Sequence, residues 1–162
     1  MSIYVDSNWS AKHSVSGAFI VFMGCPVAWF ARTQKSVSLS STEAKFFAAM
    51  LAAREGLHYR DILADLGFVQ PGATWIRTDN RGVVDLSLDP VAFKKTKHIL
   101  RAANFLRELC LTLVYRMVHI AGDVNIADIL TKPQAHAVFT RLIAILHSPV
   151  KLGQVSTVPR EV

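Results

Sequence analysis

From Gly17 to Ala31 the chain carries no charged residue, and the run is broken once, at Gly24-Cys25-Pro26. A spanning helix needs about 20 uninterrupted apolar residues, so this stretch is too short and too broken to cross a membrane. β-branched and aromatic residues on both sides of a turn read instead as a hairpin, Ala18 to Met23 and Val27 to Ala31. Near-continuous apolarity further predicts strands covered on both faces, which places the hairpin inside a layered domain.

Around that hairpin the remaining elements follow. Ile3 to Val5 is a short apolar strand ending at Asp6. Ser40 stands three residues before Glu43, a capping-box spacing, and Ala44, Phe47, Ala48 and Leu51 continue it with an apolar stripe at helical period. The predicted helix runs to about Leu66 and stops at Gly67. Pro71-Gly72 marks a turn, and Thr74 to Thr78 is a strand delivering Asp79. A short helix covers Gly82 to Leu88 and a longer one Thr96 to Leu109, with Ile99, Ala102, Ala103, Leu106 and Cys110 toward the core. Leu111 to Ile120 is the last strand. A loop with Gly122 leads to Asp128, and a closing helix after Pro133 turns Val138, Leu142 and Ile145 inward.

The order β-β-β-α-β-α-α-β-α argues against a plain doubly wound sheet. It fits an α/β domain with a mixed five-stranded sheet, three leading antiparallel strands and two further ones, and helices on both faces. The 162 residues suit one domain, expected over 1–147, with a loosely ordered tail over 148–162. Half of the residues are apolar and 19% charged, which excludes a disordered segment. A net charge of +6 favours a polyanionic partner. Cys25 and Cys110 are too few for a disulfide framework and lack metal-site spacing, so they read as small buried apolar residues in a reducing compartment. The strand-like opening Ile3-Tyr4-Val5 has no basic stretch or long apolar run before it, so no signal peptide is expected there.

Asp6, Glu43, Asp79 and Asp128 fall at predicted strand ends or helix starts, far apart in sequence. Singly, each reads as a turn or cap residue. Together, if folding gathers them, they would repel one another unless divalent cations lay between them, as phosphoryl chemistry requires. Lys94, Lys97 and Arg101 form a cationic stripe at helical spacing, with Lys95 and Arg107 nearby. Such a stripe is either a solvated face or a set of phosphate contacts.

These segments resemble the ribonuclease H domain of copia-type (Pseudoviridae-like) retrotransposon polyproteins. The resemblance runs over roughly residues 4 to 133. It rests on Asp6-Ser7-Asn8-Trp9, Ser14-Val15-Ser16-Gly17, Val27-Ala28-Trp29, Ser38-Leu39-Ser40-Ser41-Thr42-Glu43-Ala44, Thr78-Asp79-Asn80, Lys95-Thr96-Lys97-His98-Ile99 and Ala127-Asp128-Ile129-Leu130-Thr131-Lys132. It implies a ribonuclease H-like fold and hydrolysis of the RNA strand of an RNA–DNA hybrid during reverse transcription, leaving 5′-phosphate and 3′-hydroxyl ends. It also implies two Mg²⁺ or Mn²⁺ ions on Asp6, Glu43, Asp79 and Asp128, and a catalytic role for His119 in proton transfer or product release.

The partners so implied are the hybrid and a reverse transcriptase domain in the same polyprotein, with no membrane. The expected place is cytoplasmic, in a retrotransposon's virus-like particle, or nuclear. Candidate nucleic-acid contacts are Asn8, Ser41, Asn80, Lys94, Lys97, His98 and Arg101, with Ser40 a further candidate by position. The chain departs from the family pattern at Asn8, where a second Asp is usual, at Lys45-Phe46 in place of Glu-Tyr, and at Leu100 in place of Asp. The alternative reading is a catalytically silent or repurposed nucleic-acid-binding domain of the same fold. A third is an integrase- or resolvase-like nuclease, which the Thr-Lys-His-Ile block does not fit.

Overall fold

A computed structural model describes residues 1–10, 12–88 and 97–148, with side chains from residue 103 in the last stretch. Five strands form one sheet: β1 (Ser2–Ser7), β2 (Val15–Phe22), β3 (Cys25–Thr33), β4 (Thr74–Thr78) and β5 (Tyr115–His119), in the order β3-β2-β1-β4-β5. The first three pair antiparallel, and β1-β4 and β4-β5 pair parallel. The mixed sheet read from the element order is therefore the one observed.

Because strand side chains alternate, β1 feeds two cores. Ile3 and Val5 pack with Ala18, Ile20, Ile76 and Met117 beneath helix α1 (Ser41–Asp65), near α2 (Arg81–Leu88) and α3 (Lys97–Leu111). Tyr4 faces the other way, with Phe19, Val21 and Ile120, under α4 (His136–Leu146) and the 3-10 helix Ile126–Leu130. Both faces of the central strands are covered, so the Asp6 end of β1 lies between two layers.

The hairpin turn is tighter than Gly-Cys-Pro. Met23 and Gly24 take φ of 50° and 78°, the two-residue turn whose twist suits a hairpin, and Cys25 and Pro26 already belong to β3. Coverage of both faces holds for β2 and fails for β3. That strand is the sheet edge, and it leaves Val27 and Trp29 about half exposed or more. Cys25 is exposed beside the turn and Cys110 half-buried, so the expected burial of the cysteines fails at Cys25.

Helix α1 starts where its capping signal stands: Ser40 Oγ accepts the Glu43 N–H at 3.1 Å. The last strand begins later than Leu111, because α3 runs through Leu111 and Leu113 turns back in the left-handed region at φ 56°. Asp128 lies in the 3-10 helix Ile126–Leu130, and α4 follows only at His136. A buried side chain, Asn125, caps that 3-10 helix at the Ala127 N–H and donates to the Val5 carbonyl at 3.0 Å. It fastens the 3-10 helix to β1 one residue before Asp6. Lys94 and the tail from residue 149 lie outside the described residues, as do the side chains of Lys97, His98 and Arg101. No described helix is long and apolar enough to cross a membrane.

Candidate active site

Parallel pairing of β1 and β4, with Ser2 beside Trp75 and Tyr4 beside Arg77, brings the C-terminal ends of both strands to the same end of the sheet. Asp6 is the fifth residue of β1 and Asp79 the first after β4, so both carboxylates emerge there. Gly17 lies opposite Asp6 on β2, and the 3-10 helix crosses that spot with Leu130 and Thr131 packed on its bare Cα. This close crossing brings Asp128 to the same place. Asp6, Asp79 and Asp128 each offer a carboxylate oxygen, all within 4.8 Å of one another.

Glu43 is not in that triplet. It is buried at the first turn of α1, where its Oε2 accepts the N–H of Leu39, the residue before the N-cap Ser40, at 2.8 Å. Of four acids expected to converge, the fold gathers three, and the fourth performs the capping role. His119 ends β5 opposite Thr78, half-buried, one residue from Asp79 in register. Asn8 Oδ1 accepts the Val15 N–H at 2.6 Å and closes the β1–β2 connection. Asn80 Oδ1 accepts the Val83 N–H at 3.1 Å and starts α2. Ser40 and Ser41 are exposed at the start of α1.

Three residues in the cluster were not among the sequence candidates. Lys45 Nζ lies 2.7 Å from Asp6 Oδ1 and 2.5 Å from Asp79 Oδ1. Lys132 Nζ lies 2.9 Å from Asp128 Oδ2 and 3.8 Å from Asp6 Oδ2. The Thr131 hydroxyl donates to Asp6 Oδ2 at 2.5 Å. Lys132 follows Asp128 at i+4, a spacing that could have signalled the pair. Lys45 stood out only as a departure from the family pattern, and its partners are 39 and 34 residues away.

Electrostatics differ sharply between the carboxylates. Burial alone would raise the Asp6 carboxyl, but the Lys45 ammonium, the Thr131 hydroxyl and Lys132 outweigh it and hold it below the usual range. Asp128 is pushed up to about 6 by burial, against the pull of its Lys132 hydrogen bond and with repulsion from Asp6 added. Its Oδ1 is buried without a hydrogen-bond partner among the described residues. A partnerless carboxylate oxygen on one of three gathered carboxylates fits a divalent cation, which binds hard oxygen ligands.

The raised Asp128 value sets a pH-dependent cost on the metal-free fold. The folded state holds that proton more tightly than the unfolded chain, whose value is near 3.8. The resulting destabilisation is absent below the unfolded value, grows between 3.8 and about 6, and is complete above. Asp128→Asn, which cannot ionise, should therefore melt several degrees, up to roughly 9 °C, above the unsubstituted chain at pH 8 in chelator. The gap should close by pH 4. A variant melting at or below the parent at pH 8 would contradict this cause.

Comparisons with known proteins agree with the fold. The LC11-RNase H1 crystal structure in complex with RNA/DNA hybrid superposes with a TM-score of 0.62 at 16% identity, over 80% of this chain and 92% of that one. RNase H1 from the halophilic archaeon Halobacterium salinarum NRC-1 gives 0.53 at 22% identity, over 80% and 92%. The N-terminal RNase H domain of Rv2228c from Mycobacterium tuberculosis gives 0.56 at 14%, over 89% and 94%. The sheet order and these superpositions define a ribonuclease H-like fold.

No family model matches the chain. It is 30% identical over 159 residues to the retrovirus-related Pol polyprotein from transposon RE2 of Arabidopsis thaliana, covering 94% of this chain and 11% of that protein. It is 31% identical over 133 residues to the corresponding polyprotein of transposon TNT 1-94 from Nicotiana tabacum, covering 80% and 10%. The chain belongs with the ribonuclease H domains of copia-type Pol polyproteins, and it spans about a tenth of the length of these relatives.

Proposed function

We propose that this chain is a divalent-metal-dependent endoribonuclease that hydrolyses the RNA strand of an RNA–DNA hybrid during retrotransposon reverse transcription. The observation that carries the reading is the convergence of Asp6, Asp79 and Asp128 from three distant segments, with Asp128 Oδ1 buried and partnerless among the described residues. The fold it shares with a ribonuclease H1 solved on an RNA/DNA hybrid supports the substrate class, and the Pol polyprotein relatives support the setting. In that setting the domain would work beside a reverse transcriptase in one polyprotein, in a cytoplasmic particle or the nucleus.

Asp6, Asp79 and Asp128 would hold Mg²⁺ or Mn²⁺. When bound, such an ion lowers the pKa of a water and offsets charge on the phosphoryl oxygens, leaving 5′-phosphate and 3′-hydroxyl products. The chain's own groups do the rest. Thr131 and Asn125 fix Asp6 and the 3-10 helix, so the carboxylates are oriented before substrate arrives. Lys132, with 42% of its side chain exposed, can turn from Asp128 to a substrate phosphate. His119, at the same sheet end, is the candidate for proton handling. Lys94, Lys97, His98 and Arg101 are candidate phosphate contacts. Asn8, Ser41 and Asn80 are candidate readers of the sugar edge, the two asparagines through their amide NH₂ groups.

One observation favours the second reading, a hybrid-binding domain without turnover: two ammonium groups already sit among the three carboxylates. A hybrid with labelled RNA separates the two. The nuclease reading expects RNA cleavage with Mg²⁺ or Mn²⁺, none in EDTA, and none on duplex DNA. Binding without cleavage in either metal would establish the silent reading, and equal cleavage in EDTA would remove the metal mechanism.

A further inference from the structure

We propose that Lys45 is a built-in cation of the acidic site, seated between Asp6 and Asp79, so that the three carboxylates take one divalent ion rather than a pair. The inference deepens the nuclease reading and rests on it.

Three features of Lys45 separate it from an ordinary surface lysine. Its Nζ is within 2.7 Å of Asp6 Oδ1 and 2.5 Å of Asp79 Oδ1, so a single ammonium bridges two carboxylates. Its side chain is only 13% exposed, and the Asp6 side chain it meets is fully buried. It rises from α1 two residues after Glu43, the acid that turns instead to the Leu39 N–H. Where the helix might have added a fourth carboxylate, it adds a positive charge. Bridging carboxylates from a buried position is what a metal ion does in such a cluster.

Lys132 differs in kind. It reaches Asp128 from solvent, with 42% of its side chain exposed, and its contact to Asp6 is long at 3.8 Å. It can leave at little cost. Lys45 can leave only by stripping two short charge-assisted hydrogen bonds from carboxylates that would then repel. The partnerless oxygen belongs to Asp128, at Oδ1, and not to either carboxylate that Lys45 bridges. Three negative charges facing one retained ammonium are neutralised by one divalent ion. A second ion would have to enter a seat that is both filled and already neutralised.

Mn²⁺ titration followed by electron paramagnetic resonance counts the ions directly, on the whole chain and without reference to cleavage. The unsubstituted protein is expected to bind one Mn²⁺. Lys45→Met, of similar length and no charge, and Lys45→Gln are expected to bind two, or to bind the first about tenfold more tightly. Two ions on the unsubstituted protein would overturn the inference, and that result needs no variant to fold. Identical counts and affinities in all three proteins would overturn it as well. If the unsubstituted protein binds two ions and also cuts hybrid, only the role of Lys45 falls. If none of the proteins binds Mn²⁺, the metal-dependent nuclease reading falls with it.

Discussion

Asp6→Asn is expected to abolish hybrid cleavage while leaving the fold standing. Asp6 is the carboxylate that the whole cluster shares: Lys45, Thr131 and Lys132 all approach it, and it belongs to the triplet with Asp79 and Asp128. An Asn keeps the size and can still accept the Thr131 hydroxyl, so the packing of the 3-10 helix survives. What is lost is one charge at the centre of the cation seat. Metal stabilisation of phosphoryl charge is worth several kcal/mol, so the rate should fall roughly 10³-fold. Single-turnover cleavage of labelled hybrid at saturating Mg²⁺, with circular dichroism as the control, measures this. A folded variant cutting within about threefold of the parent rate, a loss of well under 1 kcal/mol, would remove Asp6 from the chemistry.

The second large effect is steric. Gly17 has no side chain because two neighbours occupy the space one would need. A Cβ there would stand 2.8 Å from Leu130 Cβ and 2.8 Å from Thr131 Cγ2, both close to the backbone of the segment that carries Asp128. Gly17→Ala must push that segment off the sheet. Overpacking of this kind costs about 1–3 kcal/mol, a drop in Tm of roughly 3–9 °C for a domain of this size. The displacement also carries Asp128 and the Thr131 hydroxyl away from Asp6. Misplacement near 1 Å can cost about a hundredfold in rate, so cleavage should fall further than stability alone explains. Thermal melting and cleavage below the melting range test the two parts separately. An unchanged Tm with full activity would mean that the crossing is loose.

Much of this arrangement was readable from local chemistry. The apolar run before Asp6 and the segment Thr74 to Thr78 before Asp79 are strands whose ends follow from their composition. Ser40 and Glu43 mark a helix start that the cap hydrogen bonds bear out. The alternation of Ile3, Tyr4 and Val5 already contained the two-sided core.

What escaped the sequence depends on tertiary position. β3 looks like β2 in composition, and only its place at the sheet edge leaves Trp29 64% exposed. Leu113 adopts a left-handed conformation that no Gly or Asn announced, which moved the start of β5. Glu43 carries one carboxylate and could not be assigned between cap and cluster without the direction of α1. Lys45 is the clearest case. The sequence shows only a Lys where the family pattern has Glu, and only the parallel pairing of β1 with β4 sets two carboxylates beneath it.

The nuclease reading requires the pocket formed by Asp6, Asp79 and Asp128 to hold a divalent ion. Diffraction from crystals grown in Mn²⁺, recorded where manganese scatters anomalously, tests it most directly. An anomalous peak is expected, bonded to carboxylate oxygens of that triplet, with the Asp128 Oδ1 now partnered. Saturating Mn²⁺ with no peak at the triplet, and the carboxylates still held only by Lys45 and Lys132, would contradict it.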